Sequence, residues 1–407
     1  MKIIKADFIL TCNENFDIVE DGAVAFDEKI IAVGTSKEII DKFPNFELIQ
    51  SPKNSCIMPG LINAHVHLEF SANKTTLAYG DFITWLNSVI EKRDELIQAC
   101  SDATIENQLN LMLKSGTTSL GAISSFGGDF EACKKSPQRV VFFSEVLGSR
   151  PDSVDILFND FRSRLRSVED EANERFIPAI SIHSPYSTHP ILARNALDIA
   201  RKNKYIVSTH FMESVAEREW LDSAKGDFYN FFANFSPYAK PMGNASEYID
   251  LFYGCKTLFT HCVQATKEEL KTIKEIGGFV THCPVSNRLL GVGKLSLENL
   301  TCKDSFTLGT DGLSSNISLS LWDELRVMMM AHEKEDINKL AKLALKSVTC
   351  NAANALGLNV GEITKEKYAD MLVCTLPDTI HAKEDLALHL ILHTKNPHSV
   401  YIQGESL

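Results

Sequence analysis

Hydrophobic residues recur along the middle of the chain in short, nearly continuous runs. The runs lie at 61–68, 117–123, 140–147, 177–183, 205–211, 257–262, 278–283 and 305–311. Amphipathic segments such as 192–203 and 267–276 separate them, with the apolar spacing of helices. Strands that are apolar on both faces are typical of a buried parallel sheet, and alternating strands and helices build such a sheet. Eight repeats therefore predict a (β/α)8 TIM-like barrel.

Both ends of the chain have a different pattern, in which shorter strands follow one another with turns between them. Strands are predicted at 2–10, 19–26, 29–33, 46–51, 371–375 and 399–403. We expect the two termini to form one small β-sandwich domain, from 1–58 together with 361–407. The barrel would then occupy 59–360, and the fold class is α/β.

Chemically versatile side chains lie where the predicted barrel strands end. They are His65, His67, His183, His210, His261, His282 and Asp311. In barrels of this class the active site lies at the carboxyl ends of the strands, because the loops that follow the strands converge there. The sequence therefore predicts a polar site at that rim.

Two of these histidines, His65 and His67, are two residues apart on one strand, so their side chains point to the same side. Together with His210 and Asp311 they form a candidate metal site. Neutral imidazoles and a carboxylate suit Zn²⁺, and also Fe²⁺ or Mn²⁺. We expect one divalent metal per chain, with Zn²⁺ as the first choice and Fe²⁺ as the alternative.

The charge, the apolar runs and the cysteines of the chain limit which partners and which cell compartment are expected. The 407-residue chain has 41 basic and 53 acidic residues, a formal net charge of −12, and no basic run with interleaved aromatics, so nucleic-acid binding is not expected. No apolar run approaches the ~20 residues of a membrane helix, and the N-terminal apolar stretch is too short for a signal peptide. The ten cysteines are scattered without a CxxC pair. We expect a cytoplasmic protein with reduced thiols.

Five motifs resemble those of the amidohydrolase superfamily, in its branch of mononuclear deaminases. They are HVH after Pro59-Gly60, HFMES, FTHC, THCPVSN and LGTDGLSSN, and the resemblance covers essentially the whole chain. It implies that His65, His67, His210 and Asp311 bind the metal. Dinuclear members carry a bridging Lys at the end of strand four, and 177–183 contains none, which favours a single metal.

The same resemblance implies roles for further residues. Glu213 matches a proton-shuttling glutamate, and His261 matches the histidine that orients the attacking water. Ser315 matches a hydroxyl that supports the substrate ring, and His183 matches a histidine that contacts the substrate. Asp94, nine residues after Trp85, is the candidate for the ribose hydroxyls.

Within the branch, HVHLEFSAN and the segment at Glu145 are similar to 6-amino-6-deoxyfutalosine deaminases of the futalosine route to menaquinone. Their substrate is an adenine nucleoside whose 5′ side ends in a carboxyphenyl ketone. Glu145 is expected to share the ribose hydroxyls, and Arg150 to meet the distal carboxylate. S-adenosylhomocysteine deaminases carry an Arg after strand three. In this chain the corresponding region is 143–150, and its sequence has a different pattern.

The predicted reaction is hydrolytic deamination at C6 of this small-molecule nucleoside, giving futalosine and ammonia. Three alternatives stay open at this point. One is a broader deaminase of S-adenosylhomocysteine, methylthioadenosine and adenosine, and another is a cyclic-amide or chlorotriazine hydrolase of the same superfamily. The third is a binding protein that has kept the fold without catalysis. The oligomeric state also stays open, a homodimer being one option.

Overall fold

The computed structural model describes residues 1–233, 240–241 and 243–407. Its strands are β1 Lys2–Leu10, β2 Ile18–Phe26, β3 Ile30–Thr35, β4 Glu47–Gln50, β5 Ser55–Pro59, β6 Leu61–His67, β7 Thr117–Ser124, β8 Arg139–Val146, β9 Phe176–Ile182, β10 Val207–Phe211, β11 Thr257–His261, β12 Phe279–His282, β13 Phe306–Leu308, β14 Met371–Thr375, β15 Ser399–Ile402 and β16 Glu405–Ser406.

Helices connect most of these strands. They are α1 Ser36–Lys42, α2 Phe82–Ala99, α3 Asp102–Lys114, α4 Phe130–Lys135, α5 Val154–Asp170, α6 Pro190–Asn203, α7 Val215–Ser223, α8 Asp227–Ala233, α9 Ala245–Asp250, α10 Lys267–Glu275, α11 Pro284–Leu289, α12 Leu321–Ala331, α13 Ile337–Ser347, α14 Cys350–Ala355 and α15 Leu386–His393. Over the described ranges, every helix is too short or too polar to cross a bilayer.

The predicted barrel is confirmed. Strands β6 to β13 form one eight-stranded sheet in which each strand lies beside its neighbour in sequence. The pairs from β8 to β13 are all parallel. Strands β7, β8, β10, β11 and β12 are buried along their whole length, as the continuous apolar runs predicted.

The last barrel strand is shorter than its predicted range, 305–311. It ends at Leu308, and a Cβ added at the next residue, Gly309, would lie 2.7 Å from the His65 carbonyl oxygen of β6. The Asp311 N–H donates to the His65 carbonyl oxygen at 3.1 Å. This contact joins the last strand's end to the first strand and brings the sheet close to closure.

The chain termini form a second, mixed sheet, as the sequence predicted. Its strands run in the order β16, β15, β14, β5, β1, β2, β3, and β4 also pairs with β1. Strand β5 is absent from the predicted strands, because a Pro-Gly pair such as Pro59-Gly60 is typical of a turn. Pro59 instead ends a fully buried strand that pairs antiparallel with β14 and parallel with β1.

Both faces of this second sheet carry buried side chains. Ile4, Val24 and Phe26 belong to one hydrophobic cluster, whereas the alternate residues Ile3 and Ala25 belong to another. Successive strand residues point to opposite faces, so a sheet covered on both sides needs apolar residues at consecutive positions. This is why the buried parts of β1 and β2 lack a strict alternation of apolar and polar residues.

The described residues group into two compact units. One consists of Met1–Ala64, Leu109–Leu120 and Ser320–Leu407, and the other of His65–Gln108 and Gly121–Leu319. The domain boundaries expected from the sequence, at 58/59 and 360/361, stay a prediction. All the site residues discussed below belong to the second unit.

Replacing Gly309 by alanine is expected to destabilise the protein. The added Cβ would lie 2.7 Å from the His65 carbonyl oxygen and 2.8 Å from its Cβ, too close for either strand to remain in place. Overpacking of this kind costs about 1–3 kcal/mol. The midpoint of urea unfolding should fall accordingly. Gly34→Ala is the control, since its Cβ would meet only side-chain atoms, the nearest being Glu38 Oε2 at 3.2 Å. Equal midpoints for the two variants would contradict the closure described above.

Candidate active site

Four side chains that the sequence predicted as metal ligands converge at the carboxyl end of the barrel. His65 and His67 lie at the end of β6, His210 lies in β10, and Asp311 lies three residues beyond β13. One ligand atom from each lies within 4.8 Å of the others. The His67 and His210 Nε2 atoms are 3.2 Å apart, and Asp311 Oδ1 is 3.7 Å from His67 Nε2.

These separations fit a common cation. Ligands at about 2.1 Å from a tetrahedral centre lie about 3.4 Å from one another. His210 Nδ1 is 2.7 Å from the His183 carbonyl oxygen. A carbonyl can only accept, so this nitrogen carries the proton and Nε2 presents its lone pair to the cluster. Burial, reinforced by neighbouring histidines, lowers the pKa of His210 to about 3. The imidazole is thus neutral, as a metal ligand must be.

The fourth side chain, Asp311, is held by hydrogen bonds on both carboxylate oxygens. Oδ2 accepts from Ser286 Oγ and Ser315 Oγ, both at 2.8 Å, and Oδ1 accepts from the Gly312 N–H. Burial opposes ionisation, but the imidazoles led by His67 outweigh it and lower the Asp311 pKa. Its backbone has a φ of 57°, in the left-handed region that is rare for residues other than glycine.

Glu213 follows β10 by two residues and is buried close to this cluster. Its Oε1 lies 3.6 Å from His261 Nε2. Burial, followed by the carboxylates of Asp311 and Glu217, raises the Glu213 pKa well above its ordinary value. The raised pKa favours the protonated form of the carboxyl group, and that form can donate a proton to a bound molecule.

The backbone around Glu213 is fixed by a residue that the sequence did not reveal, Glu217. Its two oxygens accept from the N–H groups of Met212 and Glu213, both at 2.8 Å. Met212 has a φ of 50°, which needs such support. The signal was present, since a glutamate four residues after Glu213 lies on the first turn of α7 and faces back to the strand end.

His261 ends β11 with a φ of 72°, and its orientation depends on Asn287 of α11. Asn287 Oδ1 lies 2.9 Å from His261 Nδ1, so Nδ1 donates and Nε2 presents its lone pair toward Glu213. The amide nitrogen of Asn287 lies 3.1 Å from His282 Nδ1. One amide thereby orients two buried imidazoles. Asn287 was visible in the THCPVSN motif, but its role was not predicted.

A cavity of about 320 Å³ opens at this cluster. Its lining includes His67, His183, His210, Glu213, His261 and Asp311. The remainder is mainly apolar and aromatic, with a few polar groups, the composition of a small-molecule site. Three of the four metal-ligand candidates therefore face one common space with Glu213.

The other predicted substrate residues lie at different distances from this cavity. His183 lines it and is held by Ser187 Oγ at 2.6 Å from Nδ1. Ser315 lies behind Asp311 as a fully buried hydrogen-bond donor. Glu145 is fully buried within β8, where its oxygens accept from Ser125 Oγ and Ser181 Oγ, although it also lies near His183 and His210.

Asp94 and Arg150 are not among the described residues that line the cavity. The side chain of Asp94 is 89% exposed, and that of Arg150 is 75% exposed and paired with Asp152. The orientation of α2 explains the first case, because one helical residue turns the side chain by about 100°. Arg93, the residue before Asp94, lines the cavity instead. The substrate roles predicted for Asp94, Glu145, Arg150 and Ser315 stay predictions.

Comparison with known proteins places these features in a family. Residues 56–407 match the amidohydrolase family. The chain is 46% identical to the aminodeoxyfutalosine deaminase of a Nitratiruptor species, covering 100% of this chain and 99% of that protein. It is 38% identical to a protein of Helicobacter pylori named adenosine deaminase, covering 99% of each.

A solved structure shares the fold of this chain over its whole length. The crystal structure of Helicobacter pylori aminofutalosine deaminase in complex with methylthio-coformycin superimposes with a TM-score of 0.94. It is 36% identical in sequence, and the match covers 100% of both chains. The similarity therefore extends over the barrel, the terminal sheet and the whole candidate site.

Replacing His67 by alanine is expected to abolish stoichiometric metal binding. The variant lacks one of four converging ligands, and even the loss of a residue that only supports a ligand weakens metal affinity about 10–100-fold. Metal content per chain would be measured by elemental analysis after dialysis. His381→Ala is the control, because His381 is an exposed histidine far from the barrel strands in sequence. Metal retained by His67→Ala at the level of the wild type would exclude His67 as a ligand.

Proposed function

The chain belongs to the amidohydrolase family, and we propose that it is a metal-dependent deaminase of an adenine nucleoside. Its proposed substrate is 6-amino-6-deoxyfutalosine, converted to futalosine and ammonia by hydrolysis of the C6 amino C–N bond. The full-length identity of 46% to an aminodeoxyfutalosine deaminase supports this substrate. The pathway would be the futalosine route to menaquinone.

The observation that carries the proposal is the position of Glu213. A buried carboxyl group of raised pKa lies beside His261 and lines the same cavity as three of the four candidate metal ligands, His67, His210 and Asp311. Deamination of an adenine ring needs a proton at N1 and a water activated at C6. The site has a proton donor for the first task and a metal-ligand set for the second.

A divalent cation held by His65, His67, His210 and Asp311 would supply a water of lowered pKa at neutral pH. His261 Nε2 and Asp311 Oδ1 are the acceptors that would orient that water toward C6. Their hydrogen bonds to Asn287 and Gly312 keep these two atoms in place. The positions of the His261 and Asp311 side chains are therefore set before substrate enters.

Glu213 would donate its proton to N1 of the purine as the water adds to C6. Charge that would otherwise accumulate in the ring is thereby neutralised. The proton released by the water passes to the amino group, and the C6–N bond breaks to release ammonia. The second proton of the water leaves the C6 oxygen as the C6=O bond forms and returns to Glu213, because burial favours the neutral acid.

Several finer assignments belong to this proposal. Three imidazoles and one carboxylate suit Zn²⁺, with Fe²⁺ as the alternative. We place the enzyme in the cytoplasm, with a small-molecule nucleoside as its partner and a homodimer as one option for its assembly.

The substrate is tested with a panel of four nucleosides, using the ultraviolet change from adenine to hypoxanthine. The panel holds 6-amino-6-deoxyfutalosine, methylthioadenosine, S-adenosylhomocysteine and adenosine. We expect kcat/KM to be at least about 100-fold higher for the first, which corresponds to about 2.7 kcal/mol of transition-state binding. Near-equal values would indicate a broad adenosine-type deaminase. Absence of ammonia release from all four would leave a cyclic-amide or chlorotriazine hydrolase as the better candidate.

Replacing Glu213 by glutamine is expected to lower kcat by about 10²–10⁴-fold, since the amide cannot deliver a proton to N1. KM should change much less, because the amide retains the size and polarity of the side chain. Glu219→Gln is the control: it makes the same change at an exposed position of α7. Undiminished turnover by Glu213→Gln would rule out Glu213 as the acid.

A further inference from the structure

The mouth of the cavity combines exposed apolar side chains with one positive charge. Ile90 and Phe126 both line the cavity, yet they are 45% and 43% exposed. Arg93 lines the same cavity, and about half of its side chain is exposed. Apolar surface left open beside a binding site is the kind that a ligand covers.

The orientation of α2 explains how these residues reach the cavity together. The helix contributes Trp85, Leu86, Val89, Ile90 and Arg93 to the lining. Spacings of three and four residues place them on one face of the helix. Arg93 thus lies at the end of an apolar stripe that leads along the cavity.

This helix is attached to the loop that carries Asp311. The Trp85 indole N–H donates to the Ser314 carbonyl oxygen at 2.8 Å. Asn73, in the segment before the helix, donates to the Leu313 carbonyl oxygen at 2.7 Å. The position of the Arg93 stripe is therefore tied to the reactive end of the site by hydrogen bonds to consecutive residues.

The charges along the cavity differ between its two ends. Glu213 and Asp311 lie at the reactive end, and Arg93 is the one lysine or arginine among the described residues that line the cavity. Its Nε donates to Asp94 Oδ1 at 3.1 Å, and within the described part of the chain this is its only hydrogen bond. Both partners are exposed, so this ion pair is weak and leaves the outer guanidinium nitrogens for a ligand.

We propose that Arg93 is a specificity-determining residue that pairs with a carboxylate on the 5′ substituent of the nucleoside substrate. The inference rests on the proposed function, because that function places the purine at the metal-ligand end. The substituent then extends along the apolar stripe, and a flat aromatic spacer would cover Ile90 and Phe126. A carboxylate at its far end would accept two parallel N–H bonds from the guanidinium.

The experiment compares ligands that differ in one charge. The wild type and Arg93→Met are assayed with 6-amino-6-deoxyfutalosine, with the methyl ester of its carboxylate, and with adenosine 5′-monophosphate. Arg93→Met should lower kcat/KM for the acid by about 10–100-fold, the usual contribution of a hydrogen bond to a charged group. The value for the ester should stay within about 2-fold. Arg93→Lys should recover part of the loss, because the charge remains without the fork geometry.

Two further variants make the result specific. Lys92→Met removes a neighbouring charge of α2 that does not line the cavity and should leave the acid-to-ester ratio unchanged. Arg150→Met tests the residue predicted from sequence. A ratio lowered by Arg150→Met and not by Arg93→Met would overturn the proposal. So would a higher kcat/KM for adenosine 5′-monophosphate than for the acid, since the anion would then be a phosphate.

The outcomes also separate this inference from the proposed function. A wild type that deaminates acid and ester equally well keeps the deaminase function but overturns the role of Arg93. A wild type that deaminates none of the three compounds overturns both.

Discussion

The approach of the last barrel strand to the first is the contact on which the site depends. The Asp311 N–H donates to the His65 carbonyl oxygen, and Gly309 lies against the His65 backbone without room for a side chain. The same peptide groups that bring the sheet toward closure place two candidate ligands from opposite ends of the barrel sequence beside each other. A shift of one strand would therefore change the fold and the ligand geometry together. This coupling explains why a carboxylate more than 240 residues from His65 can act in one site with it.

Burying so many titratable groups requires each to have a hydrogen-bond partner on the side that faces away from the cluster. His210 donates to a backbone carbonyl, His261 donates to Asn287, and His65 Nδ1 lies 3.3 Å from Thr260 Oγ1. These partners leave the second nitrogen of each ring directed inward. Burial would be costly for an unpartnered charged group. Here it lowers the pKa of His210 and raises that of Glu213, so it favours the neutral form of both side chains. The protonation states thus follow from the architecture.

Sequence patterns predicted the elements and the converging strand ends, because buried parallel strands leave a clear run of apolar residues. They give less information where a single residue decides the orientation of a side chain. A helix spacing that matches a family cannot tell whether Asp94 or Arg93 faces the cavity, because neighbouring residues are separated by about 100° of rotation. Glu217 and Asn287 were missed for another reason. Their function is to orient other residues through backbone and side-chain contacts, and a search for side chains at strand ends does not identify residues of this kind, even where the spacing is informative, as it is for Glu217.

The backbone of Glu213 is supported by a residue close to it in sequence, and this affects how the enzyme can diversify. Glu217 holds the backbone of Met212 and Glu213 within a stretch of six residues, without help from α2. The cavity face of α2, by contrast, contributes side chains to the lining and an indole N–H to the Asp311 loop. Substitutions along that face can alter which nucleosides fit while the proton donor keeps its position. Proton transfer and substrate choice are thus carried by separate segments, and selection can act on one without disturbing the other.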